Sequence, residues 1–142
     1  MKTVKAKIDY SGDIRKFRDA LLKSDVGARI AKIIWFGSTL KGTGRVDSDV
    51  DILVITEDGE MIPDRIADVL LDFQMIEKSP LEIVTSNIDE LYPITDYFLK
   101  NVLTYGQEVY SMPEKDLKRL RRRRRGGKKR ETETRGDGET GE

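Results

Sequence analysis

Apolar positions along this chain fall into alternating helix-like and strand-like segments. Asp13–Lys23 places Ile14, Phe17, Leu21 and Leu22 on one stripe, the spacing of an amphipathic helix, with Ser11 as its expected N-cap. Lys32–Phe36 is a short apolar run and reads as a buried strand. Val50–Thr56, VDILVIT, is rich in β-branched residues and is the strongest strand signal. Pro63–Phe73 returns to helical spacing through Ile66, Ala67, Leu70 and Leu71, with a proline at the helix start. Leu81–Thr85 reads as a third strand. Ile88–Tyr105 reads as largely helical with a break near Pro93, and Glu108–Tyr110 as a last short strand. This order predicts an α/β (α+β) domain with a small mixed sheet and helices packed mainly on one face.

Composition narrows the chemistry. The 142 residues suit a single domain with its own core. They include no cysteine and no histidine, which excludes Ser-His-Asp and Cys-His catalysis and zinc sites built on those ligands. Carboxylate, lysine, tyrosine, hydroxyl and backbone amide remain, and carboxylates favour hard cations such as magnesium. No secretory pattern and no run of about 18 apolar residues is present, so a cytoplasmic protein without a membrane span is expected.

The net charge of zero conceals an asymmetry. From Lys118 onward there are eleven basic and five acidic side chains, against fifteen and twenty-one before it. The boundary expected from this shift divides a globular part, 1–112, from a basic segment, 113–142. The latter opens as a helix, with Ser111 and Glu114 spaced as a capping box. From Gly126 there is no aliphatic or aromatic side chain, so the end is expected to be disordered. Arg121–Arg125 could neutralise nucleic-acid phosphates, although no aromatic residue is interleaved to stack on bases. A solvated tail or an arm for an acidic partner reads equally well.

The informative stretch is Ile33–Ile55, IIWFGSTLKGTGRVDSDVDILVI. A strand ends at Gly37-Ser38, ten residues follow, and Asp49-Val50-Asp51 opens the next strand. Residues i and i+2 of a strand share a face, so Asp49 and Asp51 present two carboxylates roughly 7 Å apart along the backbone. Val50, Ile52 and Val54 then face the core. Two such carboxylates repel one another unless a cation lies between them. Magnesium suits the pair because it keeps coordination sites for phosphate and water, and two metals would stabilise both attacking and leaving oxygens. Gly37 lets the backbone approach a ligand, and a short helix starting at Ser38 would offer amides to triphosphate oxygens. Gly42 and Gly44 allow a tight loop, while Lys41 and Arg45 bring positive charge near it, though loop solubility is the simpler account of both. Glu82, flanked by apolar neighbours on the Leu81–Thr85 strand, is the expected third carboxylate, as a metal ligand or as the base for an acceptor hydroxyl.

FGS, ten residues, then DVD resembles the signature of the DNA polymerase β-like nucleotidyltransferase superfamily, and within it the minimal nucleotidyltransferases of archaea and bacteria. The resemblance covers about residues 30–110. It implies the nucleotidyltransferase fold and transfer of a nucleoside monophosphate, AMP above all, from an NTP substrate to a hydroxyl on a protein or nucleic acid. It also implies that Gly37 and Ser38 bind phosphates and that Asp49 and Asp51 bind Mg2+. The family's third acidic residue is commonly aspartate, so Glu82 is a departure. Many minimal members resemble antitoxins paired with a HEPN-type toxin, some of which AMPylate a partner tyrosine. The resemblance therefore also admits a non-catalytic, partner-binding role. Trp35 and Phe36 are expected in the core, and Tyr92, Tyr97 and Tyr105 are expected to pack a helix.

Overall fold

The computed structural model describes residues 9–43 and 49–121. A four-stranded sheet forms its centre: β1 (Ile30–Phe36), β2 (Val50–Thr56), β3 (Leu81–Asn87) and β4 (Gln107–Ser111), in the order β3-β2-β1-β4. β1 pairs antiparallel with both β2 and β4, and β2 pairs parallel with β3. The parallel step needs a crossover, which α3 (Ile62–Glu77) provides. The other helices are α1 (Ser11–Lys23), α2 (Ser38–Lys41), α4 (Tyr97–Tyr105) and a last helix, α5, over 114–121. The mixed α/β architecture expected from the pattern is present.

Both faces of β2 are covered. Val50, Ile52 and Val54 join Ile14, Phe17 and Leu21 of α1 and Ile66 and Phe73 of α3 in one cluster. Phe17 and Phe73 meet edge-on at 5.7 Å between ring centres. On the opposite face, Leu53 and Ile55 pack with Leu99 and Val102 of α4 and with Leu117 and Leu120 of α5. The pattern anticipated the first layer of helices, whereas α4 and α5 form a second. The core thus continues beyond residue 112. Among the described residues, no helix is long and apolar enough to cross a membrane.

Several local expectations change for physical reasons. Ser11 opens α1 rather than capping it; its amide donates to Asp9 Oδ1 at 3.0 Å. Ser111 does not form a capping box, because it ends β4 and its Oγ accepts from Lys32 Nζ at 3.1 Å. The 88–105 segment is a 3₁₀ turn, Ile88–Leu91, then a cis Tyr92–Pro93 peptide, then α4, whose N-cap Asp96 accepts from the Phe98 amide. Tyr97 and Tyr105 are 80% and 72% exposed, so they pack no helix, and Tyr92 is also exposed. Of Arg121–Arg125 only Arg121 lies among the described residues, and its guanidinium stacks 3.7 Å from the centre of the Tyr92 ring.

Leu120 is buried in a segment whose sequence otherwise looks solvated. Leu120→Ala is expected to cost about 2–5 kcal/mol, the range for deleting a buried leucine side chain. Urea denaturation of the full chain measures it; an unchanged midpoint would show that α5 contributes nothing to the core.

Candidate active site

The end of β1 and the starts of β2 and β3 meet at one edge of the sheet. Phe36, the last residue of β1, pairs with Asp51, and Asp51 pairs on its other side with Glu82. Cross-strand partners in register point to the same face, on strands about 4.8 Å apart. Asp51 and Glu82 therefore lie side by side, on the face that carries Leu53 and Ile55 deeper in the strand. Asp49 stands two residues before Asp51, just ahead of β2, and is exposed. The sheet order, which brings β3 beside β2, is what unites Glu82 with the aspartates.

The turn after β1 closes over this row. Gly37 adopts φ 90° and ψ −167°. A Cβ built on it would run into Asp51 Oδ2, so only glycine lets the backbone pass so near the carboxylate. Ser38 then begins the four-residue α2, and Gly42 ends it in the left-handed region with φ 78°. The backbone closes on itself through Lys41 N to Gly37 O at 3.2 Å and Thr43 N to Ser38 O at 3.0 Å. Lys41 is exposed at the end of α2 and makes no ion pair among the described residues. Gly44 and Arg45 lie outside the described residues.

Charge is concentrated in the row. Burial, with the neighbouring charges of Glu82 and Asp49, holds the Asp51 carboxyl above its ordinary value. No described cation is paired with Asp49, Asp51 or Glu82. Among the described residues, no three acidic side chains stand close enough to clasp a metal ion as a set. Asp49 and Glu82 are exposed at the rim, where their side chains have room to turn towards Asp51. The donor set is all oxygen with an excess of negative charge, which fits a hard divalent cation.

Two contacts behind the row carry no plain sequence signal. The Trp35 indole N–H donates to Thr39 Oγ1 at 3.0 Å, joining β1 to α2. Phe36 meets Phe98 of α4 edge-on at 5.5 Å. A four-residue separation hints at the first only once α2 is known to be helical. The second joins residues 62 positions apart in the sequence.

The sequence profile of the nucleotidyltransferase domain family matches residues 14–119. A protein of Methanocaldococcus jannaschii named as a protein adenylyltransferase is 34% identical over 100 residues, spanning 68% of this chain and 94% of that one. Among solved structures, a toxin–antitoxin crystal structure with AMP-PNP aligns with a TM-score of 0.51 at 20% identity, covering 82% of this chain and 87% of the other. A MntA–HpeT toxin–antitoxin mutant gives 0.50 at 17% identity, covering 87% and 89%. At these identities the two structures establish a shared fold.

The raised Asp51 carboxyl has a consequence for stability. The folded chain holds the proton more tightly than the unfolded chain, so ionisation of Asp51 costs stability as pH rises through the carboxylate range. Below about pH 4 the group is protonated in both states and the cost vanishes. Asp51→Asn is therefore expected to stabilise the fold at pH 7, with a gain that shrinks towards pH 4. Urea midpoints at the two pH values measure this; a variant weaker than the parent at pH 7 contradicts it.

Proposed function

The chain belongs to the nucleotidyltransferase domain family, and from that premise we propose that it transfers AMP from ATP to a hydroxyl on a protein acceptor, with magnesium as the cation. The observation that carries the reading is the contact between turn and strand. Gly37 lies so near the Asp51 carboxylate that the Gly37–Ser38 turn, which would hold a phosphate, and Asp51, which would hold the cation, stand side by side. The acceptor class is supported by the Methanocaldococcus jannaschii relative, named as a protein adenylyltransferase.

In this reading Gly37 and Ser38 hold the triphosphate through backbone amides and the serine hydroxyl. Asp49 and Asp51 hold the cation, with Glu82 as third ligand or as the base that takes the acceptor's proton. Lys41 and Arg45 add positive charge beside the phosphates. Bound magnesium would supply neutralisation of the triphosphate and of the departing pyrophosphate. The acceptor oxygen attacks the α-phosphorus, the bond from that phosphorus to the bridging oxygen breaks, and pyrophosphate leaves. Burial, with the charges of Glu82 and Asp49, holds the Asp51 carboxyl above its ordinary value, and a cation held by these residues would offset their mutual repulsion.

A second reading rests on the exposed apolar side chains. Leu71, Met75 and Ile76 on α3, and Tyr97 and Tyr105 on α4, face solvent at 59–80% exposure, more than a self-contained small enzyme needs. With two toxin–antitoxin complexes sharing the fold, these side chains support a partner-binding role, with a HEPN-type toxin as the partner. The arginines after 121 would serve nucleic-acid or partner contact.

Asp49→Asn with Asp51→Asn is expected to abolish transfer from α-labelled ATP to protein while circular dichroism stays unchanged. Unaltered labelling by the double variant would end the enzymatic reading. Loss of labelling with partner binding intact would show that both roles reside in one chain.

A further inference from the structure

Trp35 is the one tryptophan of the chain, and it lies two residues before the Gly37 turn. Its backbone is fixed on both sides, paired with Ile52 of β2 and Gln107 of β4, and its ring packs against the first core cluster. The indole N–H is thus a donor mounted on an inner strand of the sheet, hydrogen-bonded on both sides. It reaches across the turn to Thr39 Oγ1 at 3.0 Å.

Thr39 sits where such a tether matters. α2 has four residues, far too few to be stable alone. It follows a glycine at φ 90° and precedes a second glycine at φ 78°, residues whose backbones resist rotation least. Phe36, between Trp35 and the turn, points to the opposite face and is held there by Phe98. The two aromatic residues before Gly37 thus grip the end of β1 from both sides, and Trp35 alone extends the grip beyond the turn.

We propose that Trp35 and Thr39 are a positioning pair for nucleotide binding: their hydrogen bond sets the angle of the Gly37–Ser38 turn against Asp51. The inference rests on the nucleotidyltransferase reading of the site and adds two residues to it. Neither needs to touch the nucleotide. Without the bond, α2 pivots on its two glycines and the turn loses its fixed relation to the carboxylate row.

The test uses the full chain with magnesium and AMP-PNP as the probe. Because the chain has a single indole beside the turn, binding is expected to change Trp35 fluorescence, and calorimetry gives the affinity independently. Thr39→Val keeps the shape and removes the acceptor. It is expected to weaken binding about three- to tenfold, the effect of one net hydrogen bond, and Thr39→Ser is expected to restore it. In turnover, KM should rise by the same factor while kcat changes less than about twofold. Trp35→Phe should weaken binding equally, and the double variant no more than either single one. Thr39→Val carries the test by itself should Trp35→Phe fold poorly. Parent-like binding by Thr39→Val, or losses that add in the double variant, would overturn the pair while leaving the nucleotidyltransferase reading intact. Absence of AMP-PNP binding by the parent chain would overturn both.

Discussion

Burial of β2 on both faces is the constraint from which the rest of the structure follows. Val50, Ile52 and Val54 face one cluster, and Leu53 and Ile55 the other. A strand apolar on both sides gains nothing from alternation, so hydrophobicity alone would let it slip by one residue. Asp51 prevents this. Shifted by one, its carboxylate would enter the cluster of Ile52 and Phe17, at a desolvation cost that no neighbouring cation offsets. In register, it emerges at the sheet edge between Phe36 and Glu82. One charged residue thus fixes the central strand and becomes the centre of the site.

The charges elsewhere on the sheet, and just beyond its other end, behave differently. Lys32 pairs with Glu108 at 3.0 Å, and Arg29 with Glu57 at 3.5 Å. Opposite charges there meet as in most folded proteins. At the start of β2 and β3, Asp51 has Asp49 and Glu82 as neighbours with no described cation paired to any of them, and burial together with these two charges holds its carboxyl above the ordinary value. A fold selected for stability alone would place a lysine or an asparagine there. Local rules broken at one place and obeyed elsewhere mark where function outweighs stability.

Much of this was legible in the sequence, for identifiable reasons. The strands and α1 have strong local periods, and Gly37-Ser38 with Asp49 and Asp51 is a local pattern whose spacing marks a candidate site, with Gly37 against Asp51 in the fold. The second helical layer was not legible. Leu117 and Leu120 are two apolar residues in an arginine-rich run, and their burial depends on where β4 delivers the chain. Ser111 and Glu114 fit a capping box until Lys32, 79 residues away, takes the serine hydroxyl. The tyrosines of α4 looked like packing residues because an aromatic at helical spacing gives no sign of which face meets the sheet. Glu82 could be joined to Asp51 only by supposing β3 beside β2, a tertiary fact that composition does not contain.

The absence of histidine also sets how such a site must work. In the proposed transfer a proton leaving an acceptor hydroxyl would go to a carboxylate of the row, and an ordinary carboxylate is a weak base at neutral pH. In that reaction general-base catalysis would contribute a modest share of the rate. The larger share would fall to alignment of the attacking oxygen with the α-phosphorus and to neutralisation of charge on the phosphates. Alignment is a demand on backbone geometry. In the proposed transfer it would fall on a turn built around Gly37, whose freedom admits the close approach to Asp51 and also leaves the turn easily displaced. A site that depends on position and uses glycine to achieve it needs a rigid element on each side of that glycine. β1, pinned between β2 and β4 with Phe36 against Phe98, is rigid by construction, whereas α2 is not. The bond from Trp35 to Thr39 extends the stiffness of the sheet to the far side of the turn, which is why a hydrogen bond outside the carboxylate row bears on the chemistry within it.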